Sequence, residues 1–208
     1  TYLLNSASHY PDKNQLLSKY FLFAIKIYLF SIIPLFIGIG LLAEPITIYV
    51  FNPQYVDSLN IFYVLLLSYM IGDMVYCFTG VVFVTKRIDI EFYSNIFSIY
   101  NIMMNVILLK FFGLQGVAFA TGSTVVLIYF YYVYAFRNII SIDVKTIIKY
   151  CMKISVNLLP TTGLLYYTRN SLQDKTTIIV VMLLSVMLYI VASYINKVTM
   201  CAMTYSEN

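Results

Sequence analysis

The stretch from Glu91 to Phe136, EFYSNIFSIYNIMMNVILLKFFGLQGVAFATGSTVVLIYFYYVYAF, decides the fold class. Its only charges are Glu91 and Lys110. On either side of Lys110 lie two apolar runs, about 91–109 and 117–136. At about 1.5 Å rise per residue, each is long enough to cross roughly 30 Å of hydrocarbon. The short linker Lys110-Phe111-Phe112-Gly113-Leu114-Gln115-Gly116 carries the turn residues of a tight helical hairpin. In lipid every backbone donor and acceptor must be satisfied within the protein, so these runs read as helices. A β-barrel needs alternating segments of about ten residues, and these runs are continuous.

Four more runs extend the pattern, at about 20–42, 60–84, 147–168 and 176–197. The expected fold is therefore all-α, a polytopic membrane bundle of six transmembrane helices. Composition agrees. Of 208 residues, 61% are hydrophobic and 11% charged, against about 25% charged in soluble proteins. The net charge of +4 comes from bases at the ends of apolar runs rather than from a patch, so no nucleic-acid partner is expected. With one histidine, His9, and three scattered cysteines (Cys77, Cys151, Cys201), neither a metal site nor another cofactor is expected. Gly38-Ile39-Gly40 lies inside an apolar run and is no phosphate loop, and neither G-x-S-x-G nor H-E-x-x-H occurs. Catalysis is not expected.

Orientation follows from the basic residues in short loops. Lys13, Lys19, Lys86, Arg87, Arg137, Lys145, Lys149 and Lys197 fall on one side; Lys110, Arg169 and Lys175 fall on the other. This imbalance places both termini in the cytoplasm. The outer segment Ala43–Leu59 contains Glu44 and Asp57 but no base, in keeping with that orientation.

Within the runs, a few polar residues stand out. Asp73 lies near the middle of the second run, where a carboxylate costs about 2.5–3.5 kcal/mol and usually faces a cavity or a partner. Tyr69, Asp73, Tyr76 and Gly80 share one helical face. Ser94, Ser98, Asn101 and Asn105 form a second stripe in the third run, which either lines a cavity or joins helices. Lys26 and Lys153 sit within the first and fifth runs near the cytoplasmic side. Each either snorkels to the interface or offers an ammonium to a phosphate in a cavity. Asn157 lies one turn from Lys153, and Pro34 and Pro160 mark bends. Gly116, Ala120 and Ser123 or Thr124 form a small-residue edge that permits close helix approach. The aromatic run Tyr129–Tyr134 is suited to the membrane interface.

The order of these features resembles a known family. Tyr10-Pro11 leads into the first span, Ile48-Tyr49-Val50-Phe51-Asn52-Pro53-Gln54-Tyr55 follows it outside, and the second span ends in Lys86-Arg87. An Asn-rich span then enters Phe112-Gly113-Leu114-Gln115-Gly116-Val117-Ala118-Phe119-Ala120-Thr121. This pattern is similar to the C-terminal region of O-antigen and capsule flippases in the multidrug/oligosaccharidyl-lipid/polysaccharide exporter superfamily. The similarity is clearest over residues 10–137, and the Phe-Gly-x-x-Gly turn recurs across the superfamily. The resemblance implies a MATE-like C-terminal lobe over residues 1–137 with four transmembrane helices. Residues 138–208 would then add two C-terminal transmembrane helices and a cytoplasmic tail. It further implies alternating access driven by an ion gradient, H+ or Na+, in a bacterial cytoplasmic (inner) membrane. The cargo would be a polyprenyl-pyrophosphate-linked oligosaccharide, and membrane lipids the surroundings. An N-terminal lobe of the parent chain would be missing here, so this chain alone would not transport. On this basis Asp73, Asn101, Asn105, Tyr69 and Tyr76 are candidates for the transport cavity and ion coupling. Lys26, Lys153 and Asn157 are matched by location to pyrophosphate or sugar contacts.

Two other readings fit the same residues. A cation-coupled drug or metabolite exporter of the superfamily would favour buried acids over cations. A non-transporting membrane scaffold would pack the Asp73 and Asn101 stripes against each other.

Overall fold

A computed structural model describes residues 13–168 and 174–196. His9, Tyr10-Pro11, Arg169, Lys197 and Cys201 lie outside the described residues. The described chain is all-helical. It begins with α1 (Lys13–Ile46), which runs into a π-helical turn at Thr47–Phe51. After Asn52 and a 3-10 turn at Pro53–Ser58 come α2 (Leu59–Gly72), a second 3-10 turn (Asp73–Val75) and α3 (Tyr76–Thr85). The remaining helices are α4 (Ile88–Ser94), α5 (Ile96–Phe136), α6 (Val144–Thr168) and α7 (Lys175–Ile195).

Among the described residues four helical stretches are long and apolar enough to cross a membrane: Asn14–Phe51, Pro53–Thr85, Ile88–Phe136 and Thr176–Ile195. The run at 147–168 forms α6 but is not among the four. Lys153, Asn157 and Pro160 dilute its apolar content. The runs at 91–109 and 117–136 fall together in Ile88–Phe136. The expected outer loop at Ala43–Leu59 is mostly helical, and only Asn52 interrupts it. Asn52 adopts an extended conformation and its side-chain oxygen accepts from the Gln54 amide, with Pro53 starting the next turn.

Ile88–Phe136 does not run straight. At Gly113 the backbone takes φ 60°, ψ −146°, a region open essentially to glycine alone. Beyond it the chain folds back. Phe97 and Tyr131 have ring centroids 5.7 Å apart, and the Tyr100 and Ser123 hydroxyls are 3.4 Å apart. In a straight helix residues 97 and 131 would be about 50 Å apart. The two glycines of Phe-Gly-x-x-Gly thus have different tasks. Gly113 supplies the backbone angle, whereas a Cβ on Gly116 would sit 2.2 Å from the Leu108 carbonyl oxygen. The expected hairpin is present, and Gly116, Ala120 and Thr124 are buried along its second arm.

The chain divides into two compact units: one contains residues up to Tyr28 with Val64–Val144, the other Leu29–Tyr63 with residues from Lys145 onward. The first is centred on Phe78, which is fully buried. Phe21 of α1 lies 4.4 Å from it, centroid to centroid, and Phe136 stacks on it at 5.8 Å, with Tyr132 at 5.9 Å. In the second unit Leu42, Leu165, Ile178 and Val181 form a buried cluster, with Leu41 and Ile46 against it. This cluster and an Asn157–Asn196 hydrogen bond show that α6 and α7 run antiparallel.

Candidate functional site

Asp73 is the first residue of the 3-10 turn that divides the apolar stretch Pro53–Thr85. The expected helix continues through this point but tightens by one 3-10 turn at the residue that makes it unusual, with Gly72, Val75 and Tyr76 all at right-handed helical angles. Gly72, just before the turn, is buried, and a Cβ there would lie 1.8 Å from Val125 Cγ1. Only glycine allows α2 and the second arm of α5 this close. Gly122 does the same one turn away, where a Cβ would meet Ser68 Oγ at 2.3 Å. From α1, Tyr28 donates to the Met70 carbonyl at 3.3 Å, in the last turn of α2.

Asp73 is half-buried and lies within electrostatic reach of Tyr28. Its carboxylate makes no hydrogen bond or ion pair among the described residues. Tyr76 follows three residues later on the same face, because a 3-10 helix has about three residues per turn. It is 70% exposed, and Tyr69 is exposed as well. Carboxylate and phenols therefore share one accessible surface in this chain.

The third-run stripe is less uniform than its spacing suggests. Ser94 is buried and donates to the Glu91 carbonyl, whereas Ser98 is exposed. Asn105 donates through Nδ2 to Asn101 Oδ1 within its own helix, and Asn105 Oδ1 is buried without a donor among the described residues. Asn101 therefore spends its amide oxygen on Asn105. Lys26 is half-buried in the first unit. Lys153 and Asn157 belong to the second. Lys153 is exposed, while Asn157 is only 2% exposed and accepts from Asn196 Nδ2 at 2.6 Å.

Between Lys86 and Ile88 the chain makes a basic turn. Lys86 takes a left-handed conformation, φ 56°. Arg87 forks onto Asp89 at 2.8–3.0 Å, and that hydrogen bond raises the guanidinium pKa further.

The sequence reading missed the polar side of α7. Ser185, Tyr189 and Ser193 are buried on one face, and Tyr189 donates to the Phe30 carbonyl at 2.9 Å. Beside them lies a cavity of about 390 Å³, with Ser31, Pro34, Leu35, Thr161, Leu165 and Tyr189 in its wall. It is mostly apolar, with hydroxyls as its polar groups. Among the described residues no cluster of His, Cys, Asp or Glu could hold a metal ion.

No family model, curated protein or solved structure matches this chain.

Proposed function

We propose that this chain is part of a flippase that moves a polyprenyl-pyrophosphate-linked oligosaccharide across a bacterial inner membrane by ion-coupled alternating access. The observation that carries this reading is Asp73, half-buried at a 3-10 turn inside an apolar helical stretch. An ionisable residue inside an apolar stretch is expensive and marks ion or substrate pathways. Asp73 would carry the coupling proton or sodium ion, with Tyr69 and Tyr76 on the same surface. Asn101 and Asn105 would line the sugar path, and Lys26 would meet the pyrophosphate.

In this reading the chain crosses the membrane six times with both termini in the cytoplasm. The hairpin supplies two crossings from the single stretch Ile88–Phe136. As the antiparallel partner of α7, α6 enters the membrane beside it from Asn157 onward, although it is more polar than the other spans.

The test is surface polysaccharide in cells that depend on the native gene product. Asp73→Asn and Lys26→Ala are each expected to reduce it at least tenfold at equal protein level. Unchanged polysaccharide with both variants rejects these assignments. A second reading, export of an uncharged organic molecule, is favoured by the apolar cavity lined by Leu35, Thr161 and Tyr189. Drug sensitivity of a deletion strain with intact polysaccharide would select it.

A further inference from the structure

The length of α6 relative to α7 leaves a surface unaccounted for. Asn157 pairs with Asn196, the residue that caps α7. Everything in α6 before Asn157 therefore runs on beyond the last turn of α7 at Ile195. That overhang, residues 144–156, is about 20 Å long at 1.5 Å per residue. The 21 residues of α7 cover about 30 Å, the thickness of the hydrocarbon. The overhang thus passes through the headgroup layer.

Its surface is divided. Tyr150 and Ile154 are buried on the packed side. On the flank of that side Lys145, Lys149 and Lys153 are exposed, one turn apart. At about 100° per residue they drift only some 80° around the helix, forming a single basic flank. Next to it Ile148, Met152 and Val156 are 55%, 65% and 61% exposed. No carboxylate forms an ion pair with these lysines among the described residues. Three cations about 6 Å apart beside an apolar strip match an amphiphile with an anionic head and a hydrocarbon tail.

We propose that the overhang of α6 binds anionic glycerophospholipids of the surrounding leaflet, with phosphodiester headgroups on Lys145, Lys149 and Lys153 and acyl chain along Ile148, Met152 and Val156. A free phosphate would use the lysines but leave the apolar strip uncovered. Basic side chains near an anionic membrane surface each contribute about fivefold in binding. This surface does not depend on the cargo reading, because it needs only the lipid that surrounds the protein.

The experiment is native mass spectrometry of the detergent-purified full chain, titrated with phosphatidylglycerol or phosphatidylcholine. The wild type is expected to retain phosphatidylglycerol at least tenfold better. Each Lys→Gln substitution should reduce that preference by about fivefold. The Lys→Arg triple variant should keep it, and high salt should weaken it. An unchanged unfolding temperature in the Lys→Gln triple variant confirms that the fold is intact. Equal retention of the two lipids by the wild type overturns the proposal, as does undiminished preference in that triple variant. Soluble pyrophosphate or inorganic phosphate binding as tightly as phosphatidylglycerol also overturns it, in favour of a phosphate site.

Discussion

Tyr189 donates its phenolic hydrogen to the Phe30 carbonyl at 2.9 Å, and Phe30 is the residue four before Pro34. Proline has no N–H, so that carbonyl loses its helical partner. Tyr189 replaces what Pro34 removed. Two further tyrosines donate to helix carbonyls within a unit: Tyr63 to Gly40 at 3.2 Å and Tyr28 to Met70 at 3.3 Å. Tyrosine suits this task in lipid, since its ring is apolar and its tip is a donor.

Tyr189→Phe is therefore expected to destabilise the protein by about 1–3 kcal/mol, the usual consequence of stranding a buried carbonyl. Pro34→Ala restores an N–H at position 34. In that background the same Tyr189→Phe change should cost less than half as much. Thermal unfolding of the four proteins in detergent measures the cycle.

The hairpin glycines should respond differently to alanine. Gly113→Ala meets nothing within 4 Å, so it suffers only the backbone penalty of a region that side chains disfavour, about 1–3 kcal/mol. Gly116→Ala drives a methyl into the Leu108 backbone and should spread the arms. Spin labels at Met103→Cys and Phe119→Cys, both exposed positions, report the separation. The expected result is an unchanged distance with Gly113→Ala and a longer one with Gly116→Ala.

Much of this fold was legible. The hairpin could be read because glycines punctuate two long apolar runs, and the small-residue arm because Gly116, Ala120 and Thr124 recur at helical spacing. The 3-10 turn at Asp73 was not. An α-to-3-10 change shifts hydrogen bonds by one residue, and Asp-Met-Val carries no turn signal. The pairing of Asn157 with Asn196 was also hidden, because the two residues are 39 positions apart and neither run signals its partner. The spacing of Ser185, Tyr189 and Ser193 was visible, whereas the carbonyl that needs Tyr189 lies 159 positions away.

The Asn157–Asn196 pair should be costly to halve. Asn196→Ala strands the buried Asn157 amide, whose Nδ2 already has no acceptor among the described residues, and should cost about 1–3 kcal/mol. Replacing both by leucine removes the polar groups together and should recover most of the loss. Chemical unfolding of single and double variants distinguishes these outcomes.

Lys86→Gly should stabilise the turn after α3 by about 1 kcal/mol, because glycine takes the left-handed conformation that lysine takes only at a cost. Lys86→Ala should bring no such gain. Comparison of the two unfolding temperatures is sufficient.

The bond between Tyr189 and Phe30 also constrains how the chain is made. A ribosome adding roughly 5–20 residues per second needs about ten to thirty seconds to travel the 159 positions between them. Throughout that interval the nascent α1 holds an unanswered carbonyl beside Pro34. An insertase or a passing lipid hydroxyl would have to shelter it until α7 emerges.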